Sequence, residues 1–482
     1  MIERIFGKSK DFYITVAITL AFMFGFQFLP PVGQITPLGM KVLGVFLGTI
    51  FAWVRGEIIW SAMLGMFMMT VYGLGNATSN WAGVIGVQAA AMVIFGLLLV
   101  HGMKKSGLVE ELALTITGSK WAKKGPWVLA GVFFIATDIL AFLIGGGVPV
   151  IILMWALFYE VCAKCELKAH TPFVSYMLVA IAILGNSAMC TLPYSSTAVV
   201  GIGIAQGFAP ELTCNYISYF GLNFIILIGY NVLIWLVGRF LIGNDIPMKN
   251  LEGTETHKMN LNLPMKVALF YAVLLAVLMF LPPFLPAGNA IGVFLSTTLG
   301  PLGVFILIVL LMALTKVDGE PLLDLVDGMR NGVQWPLVFL IGSAILIAGY
   351  LTADGMGIMP TLLALVDPIL GGRSPLMILT FSVVLCLIMT NLINDMVTMI
   401  VLFPICGSFF VAAGGPIELM AYLFVPAMAQ GMFMPSGSMN GALVHGNREW
   451  LTSGEAYKYL GIQECCVLVV MTIVTIISSF LW

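Results

Sequence analysis

Two stretches of this sequence place polar or conformationally free residues where long apolar runs should continue. The first is Ile144-Gly145-Gly146-Gly147, in the middle of the apolar segment 126–160. Three glycines allow a sharp turn and a close backbone approach to a ligand, with amides free for an anion or carbonyls free for a cation. The same glycines could serve only as a tight turn or a helix-packing surface. The second stretch is Thr390-Asn391-Leu392-Ile393-Asn394-Asp395-Met396-Val397-Thr398, inside the segment 374–412. Its Asn, Asp and Thr oxygens are hard ligands suited to a small cation, and Asp395 could equally exchange a proton. Asn391, Asn394, Asp395 and Thr398 are therefore candidates for holding a coupling ion, with Na+ conceivable at Asn394 and Asp395. Asp138, seven residues before the first tip, joins them. An ionisable residue inside a membrane segment is costly and commonly functional, although pairing with a neighbouring helix is the alternative.

Two further apolar runs are interrupted. Gly185-Asn186-Ser187 and Thr191-Leu192-Pro193-Tyr194-Ser195-Ser196-Thr197 break one; Gln430-Gly431 and Pro435-Ser436-Gly437-Ser438-Met439-Asn440-Gly441 break the other. Proline removes a backbone donor, and hydroxyls and amides can hold a carboxylate without a fixed charge. The candidate substrate residues are Gly145, Gly146, Gly147, Ser187, Thr191, Pro193, Ser195, Ser196, Pro435, Ser436, Ser438 and Asn440; Asn186 is grouped with the coupling ion. Each Ser or Thr alone could instead bond back to its own helix. His445, just beyond the second break, is either an inner-face residue or a proton or gating group.

The elements that position these residues follow from composition. Of 482 residues, 60% are apolar and 9% charged, against roughly 25% charged in a soluble domain. Runs such as Val84–Met103, Ile217–Val237 and Leu460–Leu481 can each cross about 30 Å of hydrocarbon as a helix. The net charge of −2, with no basic patch, gives no footing for nucleic acid. Eight cysteines, most of them inside apolar runs, do not form a disulfide framework, and Cys162-x-x-Cys165 lacks a second pair to complete a metal site. No His-Glu-x-x-His or Gly-x-Ser-x-Gly supports an intramembrane enzyme, and no cofactor is expected beyond a coupling ion, Na+ or H+.

Hydropathy places spans near 13–29, 38–54, 58–75, 84–103, 172–206, 216–238, 266–285, 291–315, 336–352, 419–446 and 460–481. The first, following the basic residues Arg4, Lys8 and Lys10, reads as a retained span rather than a signal peptide. If 126–160 and 374–412 each enter and leave on one side, all basic residues except Lys41 and Arg373 fall inside, 19 of 21. The two segments are thus expected to be re-entrant hairpins, with the N-terminus cytoplasmic and the C-terminus outside. The expected architecture is an all-α polytopic membrane protein of about eleven transmembrane helices plus two hairpins. Asp318–Trp335, with apolar residues at roughly helical spacing, reads as a helix lying in the membrane interface or as a plain connector.

The halves are similar in order. Leu143–Leu153 aligns with Leu392–Leu402, Ser106-Gly107-Leu108 with Asp354-Gly355-Met356, and Leu192–Ser196 with Met434–Ser438, at offsets of 242 to 249. This divides the chain into a first span (1–37), a first repeat (38–242), a cytoplasmic linker (243–264) and a second repeat (265–482). Five crossings in each repeat turn the second upside down, and inverted repeats with broken helices at the midplane are a signature of secondary transporters.

In this order of spans, hairpins and inverted halves the chain resembles the ion transporter superfamily, most closely the divalent anion/sodium symporter family of carboxylate transporters. The resemblance implies two bound sodium ions, a carboxylate substrate, a homodimer in a bacterial cytoplasmic membrane and elevator-like motion. The sequence departs from the family's Ser-Asn-Thr at each tip, with Gly145-Gly146-Gly147 at the first and Asn394-Asp395-Met396 at the second. The expected function is secondary active transport of a small organic anion, of carboxylate type, coupled to sodium or protons by alternating access. A proton-coupled transporter or exchanger of a non-carboxylate solute, a passive channel and an intramembrane enzyme are the alternatives.

Overall fold

The computed structural model describes residues 10–482 except 56, 118–123, 145–146, 244–245, 247–256, 287–288, 393–394 and 436. The chain opens with α1 (Lys10–Gly25), which packs along α2 (Pro37–Val54). Thr36 caps α2 by accepting from the Gly39 amide, and Pro37 occupies the first helical position, where no amide partner is needed. Then come α3 (Ile58–Val71), α4 (Ala77–Ile85) and α5 (Gln88–Lys105). A short α6 (Leu108–Thr117) leads to the first hairpin, α7 (Pro126–Ile144) and α8 (Gly147–Lys164). The first broken span is α9 (Pro172–Thr191) and α10 (Ser196–Phe208), and α11 (Tyr216–Ile242) closes this half.

The second half begins with α12 (Leu263–Phe280) and α13 (Ala290–Leu314), the latter containing a π-helical turn at Phe294–Leu299. After α14 (Trp335–Thr352) and α15 (Ile358–Leu370) comes the second hairpin, α16 (Pro375–Leu392) and α17 (Asp395–Ala412). The second broken span is α18 (Ile417–Met428) and α19 (Met439–Gly446), followed by α20 (Ser453–Leu481). Ten of the described helices are long and apolar enough to cross a membrane, or eleven if α4 and α5, bent by 44° at their junction, form one span. The protein is an all-α polytopic membrane protein. Hairpin arms of 18 or 19 residues are about 27 Å long, so each pair returns the chain to the side it left, whatever depth its tip reaches.

Packing repeats from one half to the other. In the first half α9 lies against α7, α8 and α11; in the second, α18 lies against α16, α17 and α20. The halves also interlock, since α10 packs on α17 and α18 while α19 packs on α8 and α9. The central helices α9 and α18 are buried along their whole lengths, as expected of helices apolar on every face.

Three features depart from the sequence reading. The expected span at 84–103 starts earlier and bends between Ile85 and Gln88. Helices α6 and α15 were not anticipated, because each is only one-sidedly apolar and too short to span. The stretch 318–335 is not one interfacial helix. It is a β-hairpin, β1 (Lys316–Val317) with β2 (Glu320–Pro321), a helical turn Leu325–Asp327 and a π turn Gly328–Gly332. Leu322, Leu323 and Val333 are buried in the protein, and Asp327 pairs with His101 of α5 at 2.8 Å.

Helix α14 lies so close to α4 that a Cβ on Gly342 would meet the Val84 carbonyl oxygen at 1.8 Å, whereas one on Gly349 of the same helix would meet nothing within 4 Å. Gly342→Ala should therefore destabilise the detergent-purified protein by about 1–3 kcal/mol through overpacking. Gly349→Ala should be neutral or stabilising by up to about 1 kcal/mol, and thermal unfolding of the two variants checks the contrast. On α6, the Asn260 amide (2.6 Å) and then the His257 ring (3.0 Å) hold the Glu111 carboxyl below its usual range. This tether is present above the ordinary carboxylate pKa and is lost as pH falls through the lowered one. Protease cleavage near His257 should accordingly rise in strong acid, and at neutral pH in Glu111→Ala.

Candidate functional site

A helix that stops inside a membrane protein leaves amides and carbonyls that no water reaches, and these must bond to protein. At the first break the chain leaves α9 at Thr191, passes Pro193 and restarts at Ser196, with the Ser195 hydroxyl accepting from the Ala198 amide at 3.3 Å. The carbonyl of Cys190, near the end of α9, accepts from the Tyr219 hydroxyl at 2.7 Å. At the second break Thr390 donates to the Met428 carbonyl and Asn186 to the Ala429 carbonyl. The Phe433 amide donates to Asn391 Oδ1 (2.8 Å), and the Phe433 carbonyl meets His445 Nε2 (3.0 Å). Ser438 then caps α19 through the Gly441 amide at 3.1 Å. Much of what the sequence offers as ligands is therefore occupied in completing interrupted backbone.

The two central helices meet at their broken ends. Gln430 Nε2 donates to Ser187 Oγ (3.1 Å) and to the Pro426 carbonyl (3.1 Å), while Asn186 bonds the Ala429 carbonyl. Asn186 and Ala429, like Ser187 and Gln430, are 243 residues apart, within the offset that relates the halves. The broken ends of α9 and α18 therefore meet in a polar junction.

The first hairpin tip joins it. Gly147 opens α8, and a Cβ there would lie 3.1 Å from Asn440 Nδ2 and 3.2 Å from Asn186 Oδ1; Asn440 Nδ2 itself donates to Asn186 Oδ1 at 2.6 Å. The structure thus brings Gly147, Asn186, Ser187, Asn440 and Gln430 together. Gly145, Gly146, Asn394, Ser436 and the side chain of Ser196 lie outside the described residues. Asp395 opens α17 within electrostatic reach of the Cys190 thiol on α9. Thr191 bonds back to the Ser187 carbonyl at 3.4 Å, and Pro435 lies in the turn before α19. Asp138 is elsewhere: on α7 its Oδ2 accepts from Asn231 of α11 at 2.8 Å. Three candidate oxygens are enclosed with no hydrogen-bond partner: Asn440 Oδ1, Thr398 Oγ1 and, away from the junction, Asp138 Oδ1.

Two cavities flank the first break. One, of about 320 Å³, is lined by Leu192, Tyr194 and Ser195 of the break, Phe142 and Leu143 before the first tip, and Gly96, Phe280 and Phe305 from α5, α12 and α13. The other, of about 280 Å³, is lined by Pro193, Gln88, Gln206, Tyr216 and Ile345. Met92 and Val199 line both. Their sizes sit at the lower end for small-molecule pockets.

Tyr219 at the first break, and Asn231 and Glu464 outside the junction, are polar residues that the sequence reading did not single out. Glu464 was findable, since it is the one acidic residue in the run Leu460–Leu481. Tyr219 and Asn231 carry no local signal. A double-mutant cycle of Asn186→Ala and Asn440→Ala, read by unfolding in detergent, should give a coupling of about 0.6 kcal/mol and not above about 1.7 kcal/mol, the range of interhelical hydrogen bonds in membranes; no coupling would contradict the contact.

No protein-family model and no curated protein sequence matches this chain. Solved structures do. The YdaH transporter of Alcanivorax borkumensis superposes with a TM-score of 0.55 at 14% identity, over 87% of this chain and 89% of its own. MtrF of Neisseria gonorrhoeae, described as illuminating a class of antimetabolite efflux pumps, superposes with a TM-score of 0.58 at 11% identity, over 97% of this chain and 94% of its own. At such identities the likeness is one of fold, and over nearly its whole length this chain has the fold of solved membrane transporters.

Proposed function

We propose that this protein is a secondary active transporter of a small organic anion, of carboxylate type, coupled to sodium or protons and working by alternating access. The observation that carries this reading is the meeting of a hairpin tip with both broken spans at Gly147, Asn186 and Asn440, beside a cavity that reaches Ser195. Helices α8, α10 and α19 all begin at these interruptions, and helix N-termini favour negative charge. Asn440 and Ser195, with the amides at Gly147, would hold the anion. Asp395, with Asn394 and Thr398, would hold the coupling ion, sodium or a proton. In this proposal the hairpins and broken spans move against the remaining helices, the N-terminus is cytoplasmic, and the chain works as a homodimer. The resemblance to carboxylate symporters supports the substrate class.

A second reading, a proton-coupled transporter or exchanger of a non-carboxylate solute, draws on the apolar lining of the larger cavity, where Phe142, Phe280 and Phe305 accompany the hydroxyls of Tyr194 and Ser195. A channel fits less well with paired hairpins, and the solved neighbours are named as transporters rather than enzymes.

Uptake into proteoliposomes of labelled mono-, di- and tricarboxylates, under an imposed sodium or proton gradient, tests the proposal. A tenfold ion gradient is worth about 1.4 kcal/mol, enough for roughly tenfold accumulation through one coupled ion. Entry that only equilibrates, whichever gradient is applied, would sink it. Asp395→Asn should reduce accumulation to the ungraded level; undiminished accumulation would remove Asp395 from the coupling site.

A further inference from the structure

The interfaces α7–α11 and α16–α20 correspond in the two halves, and each contains one carboxylate facing one carboxamide. In the first, Asp138 on the hairpin arm α7 takes a bond from Asn231 on α11. In the second the partners are exchanged: the carboxamide, Asn391, is on the hairpin arm α16, and the carboxylate, Glu464, is on α20 within reach of it. Each pair has unmet capacity. Asp138 Oδ1, Asn231 Oδ1 and Glu464 Oε1 are all enclosed without a partner, as is the hydroxyl of Tyr230. Tyr230 immediately precedes Asn231 on α11, and its phenol lies within electrostatic reach of Glu464.

No counter-charge accompanies Glu464. Of the helices packed on α20, α9 and α16 contain no charged residue, α11 contains only Arg239, α18 only Glu418 and α19 only His445. Arg239 lies over the Trp235 ring and His445 bonds Phe433. Among the described residues no Lys, Arg or His forms an ion pair with Glu464 or Asp138. A buried carboxylate with no positive partner must be neutralised in some other way. Sodium would require a cage of oxygens, whereas Asn391 and Tyr230, the two groups within reach of Glu464, offer an amide donor and a phenol. The cation that fits one carboxylate in such company is a proton.

We propose that Glu464, with Asn391 and Tyr230, forms a proton-binding site that couples proton uptake to movement of the second hairpin. The coupling half of this statement rests on the transport reading above; the binding half does not. In the ionised state the carboxylate accepts from Asn391 Nδ2. The other hydrogen of that amide goes to the Leu387 carbonyl (2.9 Å), and Asn391 Oδ1 holds the Phe433 amide in the second break (2.8 Å). Carboxylate, hairpin arm and broken span are thereby bonded in series. Protonation forms one O–H bond and removes one negative charge. The carboxyl then becomes a donor as well as an acceptor, and Tyr230 supplies the unpaired oxygen facing it. With the charge gone, the bond from Asn391 weakens, so α16 can slide along α20 without stranding an anion. The proton returns to water when the site opens to the opposite side.

Infrared difference spectroscopy of the full-length protein in lipid, titrated with acid and base, reads the proton directly as the carbonyl stretch of an enclosed carboxylic acid. The expected result is a titrating band that Glu464→Gln abolishes and Glu464→Asp shifts, with Asp138→Asn removing only a separate component. A band that persists in Glu464→Gln, or keeps its frequency in Glu464→Asp should the first variant fail to fold, overturns the site. In proteoliposomes with labelled succinate as probe, accumulation driven by a pH gradient should fall at least tenfold in Glu464→Gln. If the wild type accumulates the probe on sodium alone and ignores the pH gradient, the coupling is overturned while the transport reading stands. If the wild type moves none of the carboxylates, the transport reading fails and the infrared band still decides the site.

Discussion

The rest of this structure depends on one constraint: two central helices stop at membrane depth, and their loose backbone groups must be satisfied by protein. In a water-soluble protein solvent would complete the carbonyls of Cys190, Met428 and Ala429. Here Tyr219, Thr390 and Asn186 do so. Each unmet group would cost several kcal/mol in hydrocarbon, so these side chains cannot be placed freely. They come from helices packed directly on the breaks, Tyr219 from α11, Thr390 from α16 and Asn186 from α9 across the two halves.

That constraint also sorts the polar residues by availability. Asn186 uses both ends of its amide, one on Ala429 and one on Asn440, and Ser187 is held between its own helix and Gln430. Such groups build the site by holding it open, as a frame does. The capacity left unspent is that of Asn440 Oδ1 and Thr398 Oγ1, with a cavity beside Ser195. The engaged groups belong to the junction of α9 and α18, while the unspent ones lie on the second hairpin and on the restarting helix α19. Enclosed carboxylates at both hairpin interfaces fit the same scheme, since a charge that can be cancelled is a reversible lock.

Sequence and structure agree where the signal is collective. Apolar runs located most of the long helices and the four arms of the two hairpins, because burying charge or open backbone in lipid is costly. The interruptions were legible too, since Pro193 and Pro435 with their hydroxyl neighbours have no other use in an apolar run. Agreement weakens where a residue's role depends on what faces it. Asp138 and Glu464 are equivalent as sequence features, lone acids in apolar helices, and only the fold shows each against a carboxamide across a corresponding interface. Stretch 318–335 misled because its apolar residues had helical spacing but turned inward to pair with α5. Helices α6 and α15 escaped notice because their apolar stripes average out along the chain.

What the sequence determined by itself, then, was the medium, the order of helices and the places where they break. These follow from transfer energies that each segment meets alone. What only the tertiary structure decided was which polar atoms are already used. Ser187 and Gln430 are 243 residues apart and bond to each other because the broken ends of α9 and α18 meet there, a fact that no local pattern encodes. The division of Asn186, Asn391 and Asn440 into frame and ligand-facing groups has the same origin: hydrogen bonding between distant helices is settled by packing, and packing is a property of the whole chain.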